Sequence, residues 1–199
     1  MDSTTKEIIE VTQINMQKAQ IELLNKLNKC KNPFIIVTQE PYCYKATLAL
    51  MPQNAKTIPM DRTGHPRASI TASNRLQLAE IIELKHRDLA AGLVTLEGKK
   101  TVILSIYLDI TQETVSEYLI KAINYCKQKR IAILIGMDSN AHSDIWGTKL
   151  VEYIIQEGLE LHNKGKEYTY ECSTGKSIIY PTLSLNLKLG SKNGRSIKN

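Results

Sequence analysis

Residues 136–147 read GMDSNAHSDIWG, so Asp138, Asn140 and His142 follow directly on the apolar run IAILIG at 131–136. An acid, an amide and an imidazole at the end of a buried strand form either a solvated loop or the rim of a site. Other apolar runs end in the same way. Asn15 closes IIEVTQIN (8–15), Glu40 closes FIIVTQE (34–40), and Tyr107 lies near the end of TVILSIYLD (101–109). This set suits hydrolysis of a phosphate ester. A hard divalent ion such as Mg²⁺ takes few carboxylates and keeps its waters, so a lone Glu40 with amide help can anchor it. Asp138 is placed to orient or deprotonate an attacking water. Asn15 and Asn140 supply donors for phosphate oxygens, and Tyr107 a donor for developing charge.

Each of these residues also has an ordinary explanation. Asp138 and Asn140 suit an Asx-turn, and Asn15 suits a helix N-cap before the segment that follows it. Glu40, ahead of Pro41, suits a plain loop; Tyr107 suits packing, and His142 a loop or packing histidine. Two nucleotide and metal motifs are excluded. A calcium loop over 138–149 would need Gly and Glu where Ser143 and Lys149 stand. No G-x-x-x-x-G-K-S/T is present.

The elements that must carry these residues are legible from periodicity. A strand is expected over 8–15. Met16, Ala19, Leu23, Leu27 and Cys30 then take up helical spacing, which predicts a helix over 17–30 closed by Pro33. Strands are predicted at 34–40, 68–72, 78–84 and 89–96. EGKK (97–100) is a turn that makes 89–96 and 101–109 a hairpin. Helical spacing returns over 112–128, followed by a buried strand at 130–136 and a short helix at 149–157. Late strands fall at 166–171 and 177–187. Hairpins mixed with two helix-then-strand units do not make a doubly wound sheet. Two stacked sheets flanked by helices fit better.

Composition sets the outer bounds. The chain has 199 residues, 42% of them hydrophobic and 23% charged, enough for one domain with a sizeable core. No apolar run reaches a membrane span and the N-terminus MDSTTKEIIE has no signal-peptide pattern, so an intracellular protein without a membrane partner is expected. Cys30, Cys43, Cys126 and Cys172 lack zinc spacing and are expected to be reduced and structural. A net charge of +6 mildly favours a polyanionic partner.

Taken in order, QIN (13–15), VTQEP (37–41), SIY (105–107) and GMDSNAHSDIWG (136–147) resemble the endonuclease/exonuclease/phosphatase superfamily. Within it they are most similar to the apurinic-like endonuclease domain of non-LTR retrotransposons. HPRASI (65–70), RDLAAGLV (87–94), HNKGKEYTY (162–170) and SIIYPTLSL (177–185) continue the match, so the domain is taken as 8–188, with 189–199 a disordered basic tail. The resemblance implies an α/β fold: a four-layered sandwich of two mostly antiparallel sheets face to face, with helices outside. It implies a DNA-nicking hydrolase dependent on Mg²⁺ (or Mn²⁺). The freed 3′-hydroxyl would prime a reverse transcriptase domain of the same polyprotein, which places the activity in the nucleus. By motif match Asn15, Tyr107, Asp138 and Asn140 are catalytic and Glu40 binds the metal. Thr169 and Ser177 lie near DNA, while His142 and Trp146 belong to the subfamily signature, with a structural role.

Three departures from the pattern bear on activity. Where the family has an Asp in S-x-I-D, this chain has Tyr180, which is uncharged at neutral pH, followed by Pro181. The closing S-D-H, with its Asp and essential His, is not among the 199 residues, so the last strand is expected to be missing. The N-x-R-G segment after W-G is replaced by WGTKLVEY. A cooperative catalytic set that loses a member loses several orders of magnitude in rate. Weakened or lost activity is therefore expected. The alternative is a non-catalytic nucleic-acid-binding or relic protein of transposon origin. A phosphatase acting on phosphoinositides is disfavoured by the retrotransposon-type pieces.

Overall fold

Strands buried on both faces read as continuous apolar runs, and two such runs form the middle of this protein. The computed structural model describes residues 8–16, 27, 31–49, 54–60, 64–109, 115–140, 144–162, 170–172, 175–177 and 181–187. Within the helix starting at 144 and the strands at 170–172 and 175–177, it describes backbone only for 144–147 and for all six strand residues. The predicted helix at 17–30 lies outside these residues except for Leu27, which is helical and buried.

The first sheet has four strands: β1 (Glu10–Asn15), β2 (Phe34–Gln39), β5 (Ala55–Ile58) and β6 (Ala68–Ser73), in the order β1-β2-β6-β5. Between β2 and β5 lies a small hairpin, β3 (Cys43–Tyr44) and β4 (Thr47–Leu48). The second sheet contains β7 (Ala79–Glu80), β8 (Leu89–Leu96), β9 (Lys99–Tyr107), β10 (Ala132–Asp138), β11 (Glu160–Leu161) and β14 (Thr182–Leu185). Its order is β11-β14-β10-β9-β8-β7. A separate ribbon pairs β12 (Tyr170–Cys172) with β13 (Gly175–Ser177). Most pairings are antiparallel. The two exceptions, β1 with β2 and β9 with β10, are parallel and therefore need crossovers. The second crossover is α1 (Glu117–Lys129); α2 (Asp144–Glu157) follows β10.

Period-2 alternation then divides the side chains among layers. Ile35, Val37, Ile70, Ala72, Ile103 and Leu134 pack between the sheets. On the outer face of the larger sheet, Leu104, Ile106, Ile133 and Ile135 meet Leu119, Ala122, Ile123 and Cys126. Those four recur at the three- and four-residue spacing of one helix face of α1. The smaller sheet's outer face carries Ile14, Phe34 and Ile36 with Met16 and Leu27. The expected layered α/β sandwich is what forms. No helix among the described residues is long and apolar enough to cross a membrane.

Several boundaries move. The strand expected at 78–84 is only the short β7, followed by a 3₁₀ turn at Ile82–Leu84. Its buried residues, Ile81 and Leu84, are spaced by three, which is the 3₁₀ repeat and not strand alternation. α2 begins at Asp144, well before the expected 149, because Gly147 in its first turns hides the helical period. β10 runs past the Gly that closes its apolar run, to Asp138. Cys126 is a buried thiol and Cys43 a half-buried one that reaches Pro66 O at 3.8 Å; Cys30 and the Cys172 side chain lie outside the described residues.

Candidate active site

The strand ends collect polar groups because the face between the sheets changes character along every central strand. On β10 that face runs Leu134, Gly136, Asp138; on β9 it runs Ile103, Ser105, Tyr107; on β2 it runs Ile35, Val37, Gln39. On the edge strand β1 the same alternation runs Val11, Gln13, Asn15, with Ile9 just ahead of the strand packed against the core. Parallel register keeps these steps level, with Asp138 opposite Tyr107 and Asn15 opposite Gln39. An apolar floor thus gives way to a belt of amides and hydroxyls, and the belt to the candidate site.

The belt is a closed hydrogen-bond network, as buried polar groups require. Gln39 Nε2 donates to Ser105 Oγ at 3.1 Å and to the Gly136 carbonyl at 3.1 Å. Gln13 Nε2 donates to Met137 O at 2.6 Å and to Gln39 Oε1 at 3.3 Å, while Thr182 donates to Gln13 Oε1 at 3.1 Å. Ser105 Oγ donates to Thr38 O at 2.9 Å. Gly136 lets the sheets approach: a Cβ there would collide with Val37 Cγ2 and crowd Gln13.

Above the belt sits Asp138, buried with only 1% of its surface exposed. Asn15 Nδ2 reaches it across the two sheets and donates to Oδ2 at 2.6 Å. Asn140 N donates to Oδ1 at 3.2 Å, so the Asx-turn expected as the ordinary explanation is present as well. Asn140 has φ 45° and anchors its own Nδ2 on Leu108 O at 2.9 Å. Asn15 is the last residue of β1 and spends its Nδ2 on Asp138, while the start of the helix it would cap lies outside the described residues. Burial pushes the Asp138 carboxyl up to about 7, against the pull of the Asn140 and Asn15 donors, and nearby Glu40 adds to the rise.

Glu40 stands one residue past β2, at φ 48°, held by its N–H on Arg67 O at 2.9 Å. No described side chain forms an ion pair with its half-buried carboxylate. Tyr107 ends β9, and its N–H is bound to Asp88 O at 2.9 Å. Burial and then Glu40 raise its hydroxyl pKa, while Arg67 opposes them.

Arg67 was given no role in the sequence reading, yet it organises this end of the sheet. Its guanidinium lies 4.5 Å from the Tyr107 ring centroid. It donates to both oxygens of Asp88, at 2.5 and 2.8 Å, and to Asp109 at 2.6 Å. The Asp88 hydrogen bonds hold it firmly protonated. The available signal was an Arg directly before one buried strand, with acids beside the ends of two others.

The structure therefore brings together Asn15, Glu40, Tyr107, Asp138 and Asn140. Thr169 and His142 lie outside the described residues, as do Tyr180, the tail 189–199 and the side chains of Ser177 and Trp146. Two of the described histidines have engaged rings: His162 bonds Ser184 Oγ at 2.6 Å and His86 stacks on Tyr118, while His65 is held through its backbone N–H on Ala46 O and its side chain is exposed. Among the described residues no group of three or more His, Cys, Asp or Glu side chains could hold a metal ion. The donor set near Glu40 and Asp138 is carboxylate and amide oxygen. That chemistry fits a hard ion that keeps most of its waters, and does not fit a closed zinc site.

No protein-family model matches the chain, nor does any curated protein. Solved structures do match. The endonuclease domain of TRAS1, a telomere-specific non-LTR retrotransposon, is similar with TM-score 0.69 at 19% identity, over 88% of this chain and 84% of that one. An endonuclease/exonuclease/phosphatase family protein from Leptotrichia buccalis is similar at TM-score 0.61 and 12% identity, over 89% and 87%. D. rerio TDP2, complexed with single-strand DNA product, is similar at TM-score 0.50 and 11% identity, over 88% and 82%. At such identities the likeness is one of fold: the chain has the endonuclease/exonuclease/phosphatase fold, shared by nucleases and phosphatases.

Proposed function

We propose that this chain is a divalent-metal-dependent DNA endonuclease of the non-LTR retrotransposon type, with a slow hydrolytic step. The observation that carries the proposal is the bond from Asn15 to buried Asp138, which joins the ends of both sheets beside Glu40, Tyr107 and Asn140. The TRAS1 likeness supports the same choice among nucleases and phosphatases.

Glu40 would hold Mg²⁺ or Mn²⁺, and the ion when bound supplies Lewis-acid polarisation of the phosphoryl group. Asp138, with a pKa near neutrality, takes the proton of the attacking water. Asn15 keeps that carboxylate aimed, and Asn140, tethered through Nδ2 to Leu108 O, turns its amide oxygen to the water. Tyr107 stays protonated because its pKa is raised, so its hydroxyl donates to a phosphate oxygen. Water oxygen bonds to phosphorus, the bond to the 3′ oxygen breaks, and solvent protonates that oxygen. The slow step is proposed because Tyr180 stands where the family pattern has the acid that orients its histidine. The resulting 3′-hydroxyl is the group a reverse transcriptase domain would extend.

The test is nicking of supercoiled plasmid in Mg²⁺, with Glu40→Ala alongside. Slow nicking by the native chain that vanishes in the variant is the expected result; equal nicking by both, or none, overturns the catalytic role. The engagement of His162 and His86 elsewhere favours one second reading, a non-catalytic nucleic-acid-binding protein on the same fold. Plasmid binding without nicking would establish it.

A further inference from the structure

Glu40 is followed by Pro41, Tyr42 and the β3–β4 hairpin, whose turn carries Lys45 and Ala46 at φ 47° and 64°. Tyr44 on that hairpin is 60% exposed, and the Lys45 ammonium lies 5.5 Å from its ring centroid. Two further segments lock onto the hairpin, through backbone bonds and one from the Arg87 side chain. His65 N donates to Ala46 O at 3.1 Å, and Arg87 Nε donates to His65 O at 3.3 Å. Arg67 N then donates to Arg87 O at 2.7 Å, and Glu40 N to Arg67 O at 2.9 Å, which closes the circuit back to the candidate site. Lys45, His65 and Arg87 are all exposed. The segments 41–49, 64–67 and 85–87 contain no acidic residue, and the adjoining Asp88 is buried against Arg67.

The result is a rim carrying the cations Lys45 and Arg87 with an exposed imidazole and an exposed phenol among them, fixed by backbone bonds and by the Arg87 Nε bond, which is the chemistry of a phosphodiester track. The four-residue path from Glu40 to Tyr44 spans at most about 14 Å of chain, and DNA advances about 3.4 Å per nucleotide along its axis. We propose that Tyr44, Lys45, His65 and Arg87 form a subsite that grips backbone phosphates within about four nucleotides of the bond addressed by Glu40. The subsite rests on the reading of a nucleic-acid substrate. An acidic protein partner is less suited, because the rim continues directly into a phosphate-handling site.

The test is equilibrium binding of a short fluorescent DNA duplex in EDTA, titrated over potassium chloride, for the native chain and for Lys45→Ala/Arg87→Ala. Both side chains are exposed and Arg87 gives up only its exposed bond to His65 O, so melting temperatures should differ little, and Lys45→Glu, which leaves that bond in place, provides a second variant. Loss of two phosphate contacts should lower the slope of log affinity against log salt by about 2 and weaken binding roughly tenfold at low salt. An unchanged slope and affinity in the variants overturns the subsite, as does native binding that ignores salt. Glu40→Ala should bind at least as tightly as the native chain in EDTA, since a carboxylate facing phosphate is removed, with the same dependence on the rim. Loss of nicking with retained rim-dependent binding would remove the catalytic reading alone, and nicking without rim-dependent binding would remove the subsite alone.

Discussion

Asp138 shows how one residue can be set against the fold that holds it. Its carboxyl has a pKa of about 7, well above the ordinary carboxylate range, because it is buried. Below pH 4 it is protonated in folded and unfolded chains alike. Between the two pKa values the folded chain binds more protons, so stability falls as pH rises toward 7 and stays lower beyond it. In EDTA the loss should be on the order of 4 kcal/mol, from a carboxyl near 7 against an ordinary 3.8 at about 1.4 kcal/mol per pKa unit. Asp138→Asn should flatten that pH profile, raise the melting temperature at pH 8, and abolish any nicking. A melting curve series from pH 4 to 8 decides it, and an unchanged profile would contradict the burial account. Arg67 behaves oppositely. Removing it leaves the buried Asp88 carboxylate without its partner, so Arg67→Ala should cost roughly 2 kcal/mol or more by urea unfolding.

At the scale of elements, the amide belt and the apolar layers make separate contributions. Gly136→Ala should destabilise by about 2 kcal/mol, because its Cβ would strike Val37 where the sheets approach most closely. Ile123→Ala on α1 empties a fully buried position against the larger sheet and should cost about 3 kcal/mol. Denaturant midpoints distinguish the two: the α1 change leaves the site's hydrogen bonds intact, while the Gly136 change displaces Gln13 and should also reduce activity. β10 was recognisable from its apolar run, and α1 from Leu119, Ala122 and Cys126 at helical spacing. The 3₁₀ turn at Ile82–Leu84 and the first turns of α2 were not, because two buried residues spaced by three, or a glycine early in a helix, carry little periodic signal.

For the molecule as a whole, metal linkage joins site to stability. An ion that binds only the folded chain raises stability by RT ln(1 + [ion]/Kd), about 1.4 kcal/mol at ten times Kd. Mg²⁺ should therefore raise the melting temperature of the native chain and not of Glu40→Ala; an equal rise in both would place the ion elsewhere. Asn15, Glu40, Tyr107, Asp138 and Asn140, which the structure brings together, stand in the chain at the polar closures of apolar runs, whereas Arg67 does not. Alternation also determined which side chains share a face with them, since Leu134, Gly136 and Asp138 lie two apart, as do Ile103, Ser105 and Tyr107. Only the tertiary structure decided that these faces look at one another. Asn15 and Asp138 are separated by 123 positions and meet through a bond between sheets, which local periodicity does not encode. The same holds for Arg67, whose partners Asp88 and Asp109 come from different strand ends. Charge attracts at short range in space whatever the distance in sequence, so their convergence required β8 and β9 to be in register and the smaller sheet, with Arg67 just ahead of β6, to be packed against them.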